Sequence, residues 1–435
     1  MKDSINILQL TLHEQLVGYL VGFQGGRNAF YFADEFKFNN QRPTFSLTTH
    51  PSFPLSAKLM AEPWRRNQRL HPILSNLLPE GALRELIAQS LKVHPDNEFK
   101  ILSYLGDDLP GAIVATPLNS ANVPASLLST ISIGSGGQVS LVDFDDDFYQ
   151  IRGSNKFSLA GVQMKFSMKE MDGRYNLATT GKLGNWIVKT PSTKHKDVPL
   201  NEYTAMTLAS LVGVDIPDIK LVEVAQLDDL PPINLPDEKY AFAIKRFDRK
   251  LELQENKVVR VHMEDFAQVL VKYPHEKYSS ANYEQIGRVI YQFSAEGLAD
   301  IQQFARRLLV NILLANGDAH LKNWSLLYQD KIAPRLSPAY DILTTQVYIT
   351  GERHIALNLA KTKDWYQVSY ASFQLWAEKV GVPWRAIKPH LDDVMDKART
   401  LWLPALNNLP MNEVHKKKLA EHWLNLSADF KISKS

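Results

Sequence analysis

The chain has 435 residues, 45% of them hydrophobic and 22% charged, so it exceeds what one hydrophobic core usually holds and predicts two or three domains. Its 49 basic and 47 acidic residues leave a net charge of +2, which excludes a simple polycation that binds nucleic acid over its whole surface. The chain has no cysteine, which excludes disulfides and thiolate chemistry, and it has no signal-peptide pattern and no apolar run long enough to cross a bilayer, so we expect a soluble, cytoplasmic protein without membrane contact.

The first 150 residues predict a small mixed domain. Strand-like alternation marks INILQLTL, QLVGYLVGF, AFYFA and PTFSLT, and a helical stretch follows around NLLPEGALRELIAQSL. From Pro117 to Gly137 the chain is rich in Ser, Pro, Asn and Gly, which predicts a linker over about 117–150. The GSGG run at 134–137 opens no helix, so we interpret it as a hinge and not as a phosphate loop.

The remaining chain divides into two parts of different class. Residues 151–255 contain recurring strand-like segments around one clear helix, NEYTAMTLASLVG, for which Asn201 is the predicted N-cap. Residues 256–435 show almost only helical patterns and predict an all-helical lobe around two strand-like segments, NWSLLY and KIAPRL, which lie between Asn323 and Asp341. The chain therefore predicts an α+β protein with a sheet-rich part and a helical part.

The octet NGDAHLKN, Asn316–Asn323, follows an apolar helical stripe that we expect to end at Gly317. Asp-x4-Asn is the spacing of the kinase catalytic loop, in which the aspartate takes a proton from the attacking hydroxyl and the asparagine ligates magnesium. On this interpretation Asp318 is the base, Asn323 a magnesium ligand, and Asp341 in LSPAYDILT the further carboxylate. The alternative is structural, because aspartate and asparagine at helix ends are often caps or turn formers.

A kinase also needs a strand lysine that holds phosphates and a helix carboxylate that fixes this lysine. Lys189 ends the strand-like NWIVK, and Glu202 follows thirteen residues later in the predicted helix. Upstream, FSLAGVQMKFSM has Gly161 at its bend, where a phosphate-covering loop would need close backbone approach. The stretch YAFAIKRFDRK fits an adenine-contacting hinge, and it equally fits a surface ion-pair turn.

Taken together, these stretches resemble the HipA family of bacterial toxin kinases. The matching pieces, in the family's order, are FSLAGVQMK, WIVKTP, NEYTAMTLA, RFDR, EDFAQ, GDAHLKN and SPAYDI, with weaker similarity at NLLPEG and LGDDLPGAIV. The resemblance implies an ATP-dependent serine/threonine kinase with a two-lobed, protein-kinase-like α+β fold. It also implies an extra amino-terminal subdomain at 1–150, a nucleotide-binding lobe at 151–255 and a helical lobe at 256–435.

The resemblance implies roles for individual residues. Asp318 would be catalytic, Asn323 and Asp341 would ligate Mg²⁺, and Ser158 would be autophosphorylated, which would place charge beside the phosphates of ATP and switch the kinase off. The residues assigned to nucleotide binding are Lys189, Ser158, Ala160, Gly161, Val162, Gln163, Lys165, Lys245, Phe247, His320 and Lys322. The chain departs from the family pattern at Ala319, where glycine is common, and at Lys245, where an acidic residue can occur; neither change removes a required oxygen.

The resemblance also implies partners. These are a HipB-like helix-turn-helix antitoxin dimer, operator DNA bound mainly through that antitoxin at the nucleoid, and a protein target of the glutamyl-tRNA synthetase type. The near-neutral charge agrees with a division in which the antitoxin carries most phosphate contacts. Two other functions stay open at this point, a small-molecule phosphotransferase that uses the same Asp-x4-Asn loop and a catalytically inactive, kinase-fold corepressor.

Overall fold

The computed structural model describes residues 3–135, 138–153, 164–177, 183–230, 233–252 and 257–433. Five of the predicted nucleotide-binding positions lie outside the described residues: Ser158, Ala160, Gly161, Val162 and Gln163. The predicted boundaries near 150 and 255 fall at or beside such stretches, and they stay predictions. No helix in the described part of the chain is long and apolar enough to span a membrane.

The amino-terminal subdomain is built on a six-stranded sheet in the order β4-β3-β2-β1-β5, with β6 parallel to β1. Its strands are β1 Asp3–Leu12, β2 Gln15–Phe23, β3 Arg27–Phe32, β4 Trp64–Asn67, β5 Ile113–Pro117 and β6 Val139–Leu141. Its helices are α1 Asp34–Lys37, α2 Ser56–Ala61, α3 Pro72–Ser75, α4 Gly81–Ser90, α5 Glu98–Leu105, α6 Ala125–Ser135 and α7 Asp146–Gly153. Apolar side chains of β1, β2 and β5 alternate into a core shared with α3 and α5.

The prediction of a linker over about 117–150 is wrong. This stretch contains α6, whose Leu127 and Ile131 are buried against the outer face of the sheet, and the strand β6 on β1. Its small polar residues form turns between these elements, and composition alone does not separate such turns from a flexible linker. PTFSLT is also not a strand, because Leu47–Thr49 forms one short helical turn after an irregular segment.

The second part contains another six-stranded sheet, in the order β10-β12-β9-β7-β8-β11. Its strands are β7 Lys165–Met171, β8 Arg174–Leu177, β9 Trp186–Lys189, β10 Ile219–Glu223, β11 Leu227–Asp228 and β12 Tyr240–Lys245. The hairpin β13 Arg249–Glu252 and β14 Lys257–Arg260 leads to the next part.

The predicted helix of this second part, α8, spans Val198–Leu211 and begins four residues earlier than predicted. The predicted N-cap, Asn201, is wrong: Asn201 lies within α8 and is fully buried, and its side chain exchanges hydrogen bonds with the backbone of Thr344 in the carboxyl-terminal lobe. Pro199 supports the earlier start, since proline is favoured in the first helical turn.

The carboxyl-terminal lobe is mainly helical, and the prediction that it is entirely helical is wrong. Its helices are α9 Phe266–Val269, α10 Tyr283–Phe293, α11 Gly297–Leu313, α12 Tyr370–Val380, α13 Trp384–Lys397, α14 Leu403–Asn408 and α15 Glu413–Asn425. Its strands are β15 His262–Asp265, β16 Ser325–Tyr328, β17 Arg335–Leu336, β18 His354–Leu359 and β19 Thr362–Asp364. They form a three-stranded sheet, β15-β16-β17, and a separate pair, β18-β19. β16 and β17 fall in the strand-like NWSLLY and KIAPRL, whereas the three-residue β19 lacks the length at which sequence periodicity separates strand from helix.

One large apolar core joins the two lobes. It contains the buried faces of α10, α11, α12 and α13, and it takes in Ala205, Met206 and Leu208 from α8. The helix of the sheet-rich lobe is therefore packed on the helical lobe, so that the end of β9 faces the loop after α11.

Candidate active site

The first cluster of the site is a buried lysine between two carboxylates. Lys189 is the last residue of β9, and its ammonium forms ion pairs with Glu202 on α8 and with Asp341 on the loop after β17. The side chain of Lys189 is 4% exposed. Burial disfavours the charged form, but the carboxylates of Asp341 and Glu202 outweigh it and raise the pKa of Lys189 above its ordinary value. The pairing of Lys189 with a helix carboxylate, expected from the sequence, is present.

A second lysine reaches the same carboxylate. Lys165 begins β7 directly opposite Lys189, and its Nζ lies 3.0 Å from Oδ2 of Asp341. Burial raises the pKa of Asp341, but the two lysines outweigh it and hold this pKa well below the ordinary value. Asp341 also has φ of 54°, an uncommon backbone conformation for a residue other than glycine, and such residues concentrate at functional sites.

The catalytic-loop segment starts earlier than predicted. Helix α11 ends at Leu313, not at Gly317, and Ala315 takes the left-handed conformation with φ of 51°. Glycine at 317 is favoured for a different reason, because a Cβ there would lie 2.9 Å from the backbone carbonyl oxygen of His354 as well as close to the side chain of Glu352. The turn therefore depends on close packing against the segment that precedes β18.

Asn316 connects the backbones of the two acidic residues of the site, Asp318 and Asp341. Its Oδ1 accepts a hydrogen bond from the backbone NH of Asp318 at 3.0 Å, and its Nδ2 donates to the backbone carbonyl of Asp341 at 3.4 Å and to Oδ1 of Asn311 at 2.7 Å. Asn316 is fully buried. One amide thus holds the backbone of Asp318 next to that of Asp341, which lies 23 positions further along the chain.

Asn323 closes the loop from its other end. Its Nδ2 donates to the backbone carbonyl of Asp318 at 2.7 Å, which leaves Oδ1 as the end of the amide that can ligate a cation. The buried guanidinium of Arg307 donates to the backbone carbonyl of Asn323, and Tyr340 donates to that of Lys322 at 2.8 Å. The carboxyl end of the loop is therefore fixed by two donors of the carboxyl-terminal lobe, Arg307 and Tyr340.

The carboxylate of Asp318 is 44% exposed at the surface of the loop. The hydroxyl of Tyr278 donates to its Oδ1, and Nε2 of His320 lies 3.9 Å from the same oxygen. His320 is buried, and burial lowers its pKa to about 4, so its imidazole is neutral near pH 7. The structure thus brings His320 beside Asp318, where it packs edge-on against the ring of Tyr278 at 4.9 Å.

Lys322 points away from the Lys189 cluster. Its ammonium donates to the backbone carbonyl of Asn76 at 2.9 Å and to Oδ1 of Asn76 at 3.2 Å. It also lies 3.4 Å from carboxylate oxygens of Glu80 and Asp265. In this structure the predicted phosphate contact is an anchor for the amino-terminal subdomain.

Two predicted nucleotide-binding residues lie at the end of β12 and just after it. Phe247 is near the site, and Lys245 is far from it. Phe247 packs on Tyr340, the neighbour of Asp341, with ring centroids 5.7 Å apart. Lys245 is exposed and pairs with Asp218 at 2.9 Å, three register positions from Lys189. The structure therefore brings Phe247 to the site and leaves Lys245 outside it.

The charged residues around Phe247 are not a surface ion-pair turn, and that alternative is wrong. Arg246, Asp248 and Arg249 are all buried. Arg246 pairs with Asp248 at 2.7 Å, and Arg249 pairs with Asp108 of the amino-terminal subdomain at 2.9 Å. Asp248 also accepts from the backbone NH of Gly111 at 2.9 Å. The RFDR motif is thus a buried joint between the sheet-rich lobe and the LGDDLPG segment.

The oxygen donors fit a magnesium site in number and kind. Asp341 supplies a carboxylate and Asn323 an amide oxygen, and Mg²⁺ in nucleotide sites commonly takes one or two protein oxygens with phosphate and water. The described residues contain no group of three or more His, Cys, Asp or Glu side chains that could hold a metal alone. The donor set therefore fits a cation that is shared with a phosphate and does not fit an independent structural metal.

Sequence reasoning missed three contributors to the site. Tyr278 and Glu80 lie 40 and 238 positions from Asp318, and neither sits in a pattern that predicts a place near a catalytic loop. Asn316 belongs to the quoted octet, but no role was assigned to it. The NLLPEG stretch was a usable signal for Glu80, because it is one of the pieces that carry the resemblance.

The fold and site define a two-lobed, kinase-like α+β protein with an extra amino-terminal subdomain. The family model of the HipA N-terminal domain matches residues 8–116, and that of the HipA-like C-terminal domain matches residues 157–402. The chain belongs to the HipA family, as the resemblance implied.

Relatives cover nearly the whole chain. The protein Y4dM of Sinorhizobium fredii is 36% identical over 412 residues, 94% of either chain. The serine/threonine-protein kinase toxin HipA of Shewanella oneidensis is 24% identical over 347 residues, 76% of either chain. The crystal structure of Shewanella HipA with HipB and operator DNA matches with a TM-score of 0.69 at 20% identity, over 95% of this chain and 94% of that one. This match confirms the predicted fold class.

Proposed function

We propose that this protein is a Mg²⁺- and ATP-dependent serine/threonine protein kinase that acts as the toxin of a HipBA-type toxin-antitoxin pair. Asp318 is the catalytic base, Lys189 holds the phosphates, and Asn323 and Asp341 ligate Mg²⁺. The observation that carries the proposal is the cluster in which Lys189 pairs with both Glu202 and Asp341, while Asn316 binds Asp341 and Asp318.

The geometry supports proton transfer at one defined atom. Oδ1 of Asp318 already accepts from the hydroxyl of Tyr278, so Oδ2 is the oxygen left for the proton of an acceptor hydroxyl. As that proton leaves, the acceptor oxygen forms a bond to the terminal phosphorus of ATP, and ADP departs with the bonding electrons. When bound, Mg²⁺ neutralises phosphate charge. The buried ammonium of Lys189 adds a fixed positive charge that costs no reorganisation during the reaction.

An open cleft beside the base supports a macromolecular acceptor. It has a volume of about 740 Å³ and is lined by Tyr278, Gly317 and the β18-β19 hairpin. Gly317 directly precedes Asp318, so a serine or threonine side chain in this cleft would lie beside the carboxylate.

The biological role follows from family membership. The solved complex of Shewanella HipA with HipB and operator DNA supports a HipB-like antitoxin as the partner that carries the DNA contacts, and the net charge of +2 agrees. We also propose a target of the glutamyl-tRNA synthetase type and autophosphorylation of Ser158. Both rest on the resemblance, and Ser158 lies outside the described residues.

The test compares phosphate transfer from radiolabelled ATP by the wild type and by Asp318→Asn, with and without Mg²⁺. The variant keeps the side-chain shape and loses the base, so transfer should fall by about 10²- to 10⁴-fold. Asp396→Asn, on the exposed face of α13, is the matched control and should retain full activity.

Three outcomes would contradict the proposal. Equal transfer by Asp318→Asn and the wild type would exclude Asp318 as the base. Phosphorylation of an added sugar or aminoglycoside, without transfer to protein serine, would establish the small-molecule phosphotransferase instead; no transfer to either acceptor with tight operator binding would establish an inactive corepressor.

A further inference from the structure

The NLLPEG segment, residues 76–81, lies between α3 and α4 and reaches out of the amino-terminal subdomain to the catalytic loop. Asn76 is buried, and its Nδ2 donates to the backbone carbonyl of Lys272 in the carboxyl-terminal lobe at 2.7 Å. The preceding residues of α3 contact α9, where Nε2 of Gln268 donates to the backbone carbonyl of Ile73 at 2.8 Å. The segment is therefore packed on the elements next to the loop.

The catalytic loop contacts the NLLPEG segment through Lys322, the residue before Asn323. Its side chain is 16% exposed, and its ammonium has both Asn76 and Glu80 as partners. A largely buried lysine needs oxygen partners to remain charged, and the subdomain supplies most of them. The position of Lys322, and with it that of Asn323, thus depends on a segment 246 residues away in sequence.

Glu80 also binds a second lysine, Lys277, which precedes Asp318 in the chain. One carboxylate oxygen lies 2.8 Å from Nζ of Lys277, and the other lies 3.4 Å from Nζ of Lys322. Burial raises the pKa of Glu80, but Lys322 and Lys277 outweigh it and hold this pKa below its ordinary value, so the bridge is charged near neutral pH. Tyr278, whose hydroxyl donates to Asp318, directly follows Lys277.

We propose that the amino-terminal subdomain positions the catalytic loop, and that Glu80 is its principal positioning residue because it bridges Lys277 and Lys322 on either side of Asp318. Glu80 does not touch Asp318; it acts through Tyr278 and through the backbone between Lys322 and Asn323. The effect on phosphate transfer rests on the proposed kinase function, whereas the effect on loop order does not. A base must lie within hydrogen-bond reach of the proton it takes, so small shifts of the loop reduce turnover.

Other contacts keep the subdomain docked when Glu80 is changed. Arg249 binds Asp108, and Glu264 of β15 accepts from Ser46 and from the backbone NH of Leu47. These contacts are distinct from the Glu80 bridge. A substitution of Glu80 therefore loosens the catalytic loop without releasing the subdomain.

The experiment uses the full chain as Glu80→Gln, with Glu80→Asp as the conservative variant. The matched control is Asp34→Asn, an exposed carboxylate of the same subdomain whose one ion pair among the described residues is with Lys37. Steady-state phosphate transfer gives kcat and KM for ATP. Hydrogen–deuterium exchange follows peptides covering 274–281 and 316–324, with α8 as the internal reference.

Glu80→Gln should lower kcat by about 10- to 100-fold, with KM for ATP unchanged within about twofold because the Lys189 cluster is untouched. Exchange should rise in both peptides and stay constant in α8. Glu80→Asp should recover part of kcat, and Asp34→Asn should behave as the wild type.

Unchanged exchange in both peptides of Glu80→Gln would overturn the inference. So would a rise of similar size in α8, because it would indicate general loosening instead of positioning. If the wild type transfers no phosphate to any acceptor, the proposed function fails, and the exchange comparison still decides whether Glu80 positions the loop.

Discussion

The Lys189 cluster and the catalytic loop lie side by side but are held in different ways. All three residues of the cluster belong to the two lobes. Lys189 on β9 is buried and forms ion pairs with Glu202 on α8 and with Asp341 after β17. The loop holds a half-exposed carboxylate, Asp318, and its neighbour Lys322 is bound by the amino-terminal subdomain.

This difference separates stability from turnover. Removing a charge from the buried cluster leaves its partners uncompensated, which costs folding free energy. Removing a contact that supports the loop leaves no buried charge alone, and it changes mainly where the carboxylate of Asp318 lies. The first region should therefore respond to substitution in stability and nucleotide binding, and the second in turnover.

The largest expected effect on stability comes from Lys189→Met. It leaves Glu202 and the buried side of Asp341 without their shared cation, so the free energy of unfolding should fall by about 3–5 kcal/mol. Urea denaturation measures this loss, and ATP titration should show weakened binding. A fall below about 1 kcal/mol would mean that the cluster is far more hydrated than the structure indicates.

A smaller effect is expected from pH at the junction between the amino-terminal subdomain and β15. Burial raises the pKa of Glu264 to about 7 from the ordinary 4.5, so the folded state holds a proton that the unfolded state has lost within this window. The contribution of Glu264 to the free energy of unfolding should therefore fall by about 3 kcal/mol as pH rises from 4.5 to 7, against the opposite contribution of buried histidines such as His262, whose pKa burial lowers to about 3.

Glu264→Gln removes this titration while keeping the side-chain shape. Urea denaturation from pH 4.5 to pH 7 should show the free energy of unfolding of the variant gaining about 3 kcal/mol relative to that of the wild type as pH rises. Parallel profiles would show that Glu264 is ionised throughout, and that its three hydrogen-bond donors, which include Tyr328, outweigh its burial.

The smallest effect is expected from Lys245→Met, a lysine on the neighbouring strand that was assigned to nucleotide binding from the sequence. Its exposed ion pair with Asp218 should contribute no more than about 1 kcal/mol to the free energy of unfolding. ATP affinity should remain that of the wild type. A marked loss of ATP affinity would instead place Lys245 in the nucleotide site, and the contrast with Lys189 would disappear.

Local pattern predicted much of this molecule. The strands β1, β2, β3, β7, β9, β10 and β12 were expected from alternation, and the lysine at the end of β9 was expected to meet a helix carboxylate. The errors concern features without a periodic signal. Turn-rich composition hid α6 and β6, and the three-residue strand β19 in the carboxyl-terminal lobe was too short to separate from helix.

The sequence by itself determined the family, the residue types of the site and their order. The oxygen and nitrogen ligands follow buried helices and strands at fixed spacings, and such spacings can be recognised in the sequence. Only the tertiary structure decided that Lys322 faces Asn76 and Glu80, that Lys245 stays outside, and that RFDR is a buried joint. Those outcomes depend on which distant charges become neighbours. The sequence around a lysine does not indicate whether its partner is a phosphate, water or a carboxylate on another domain.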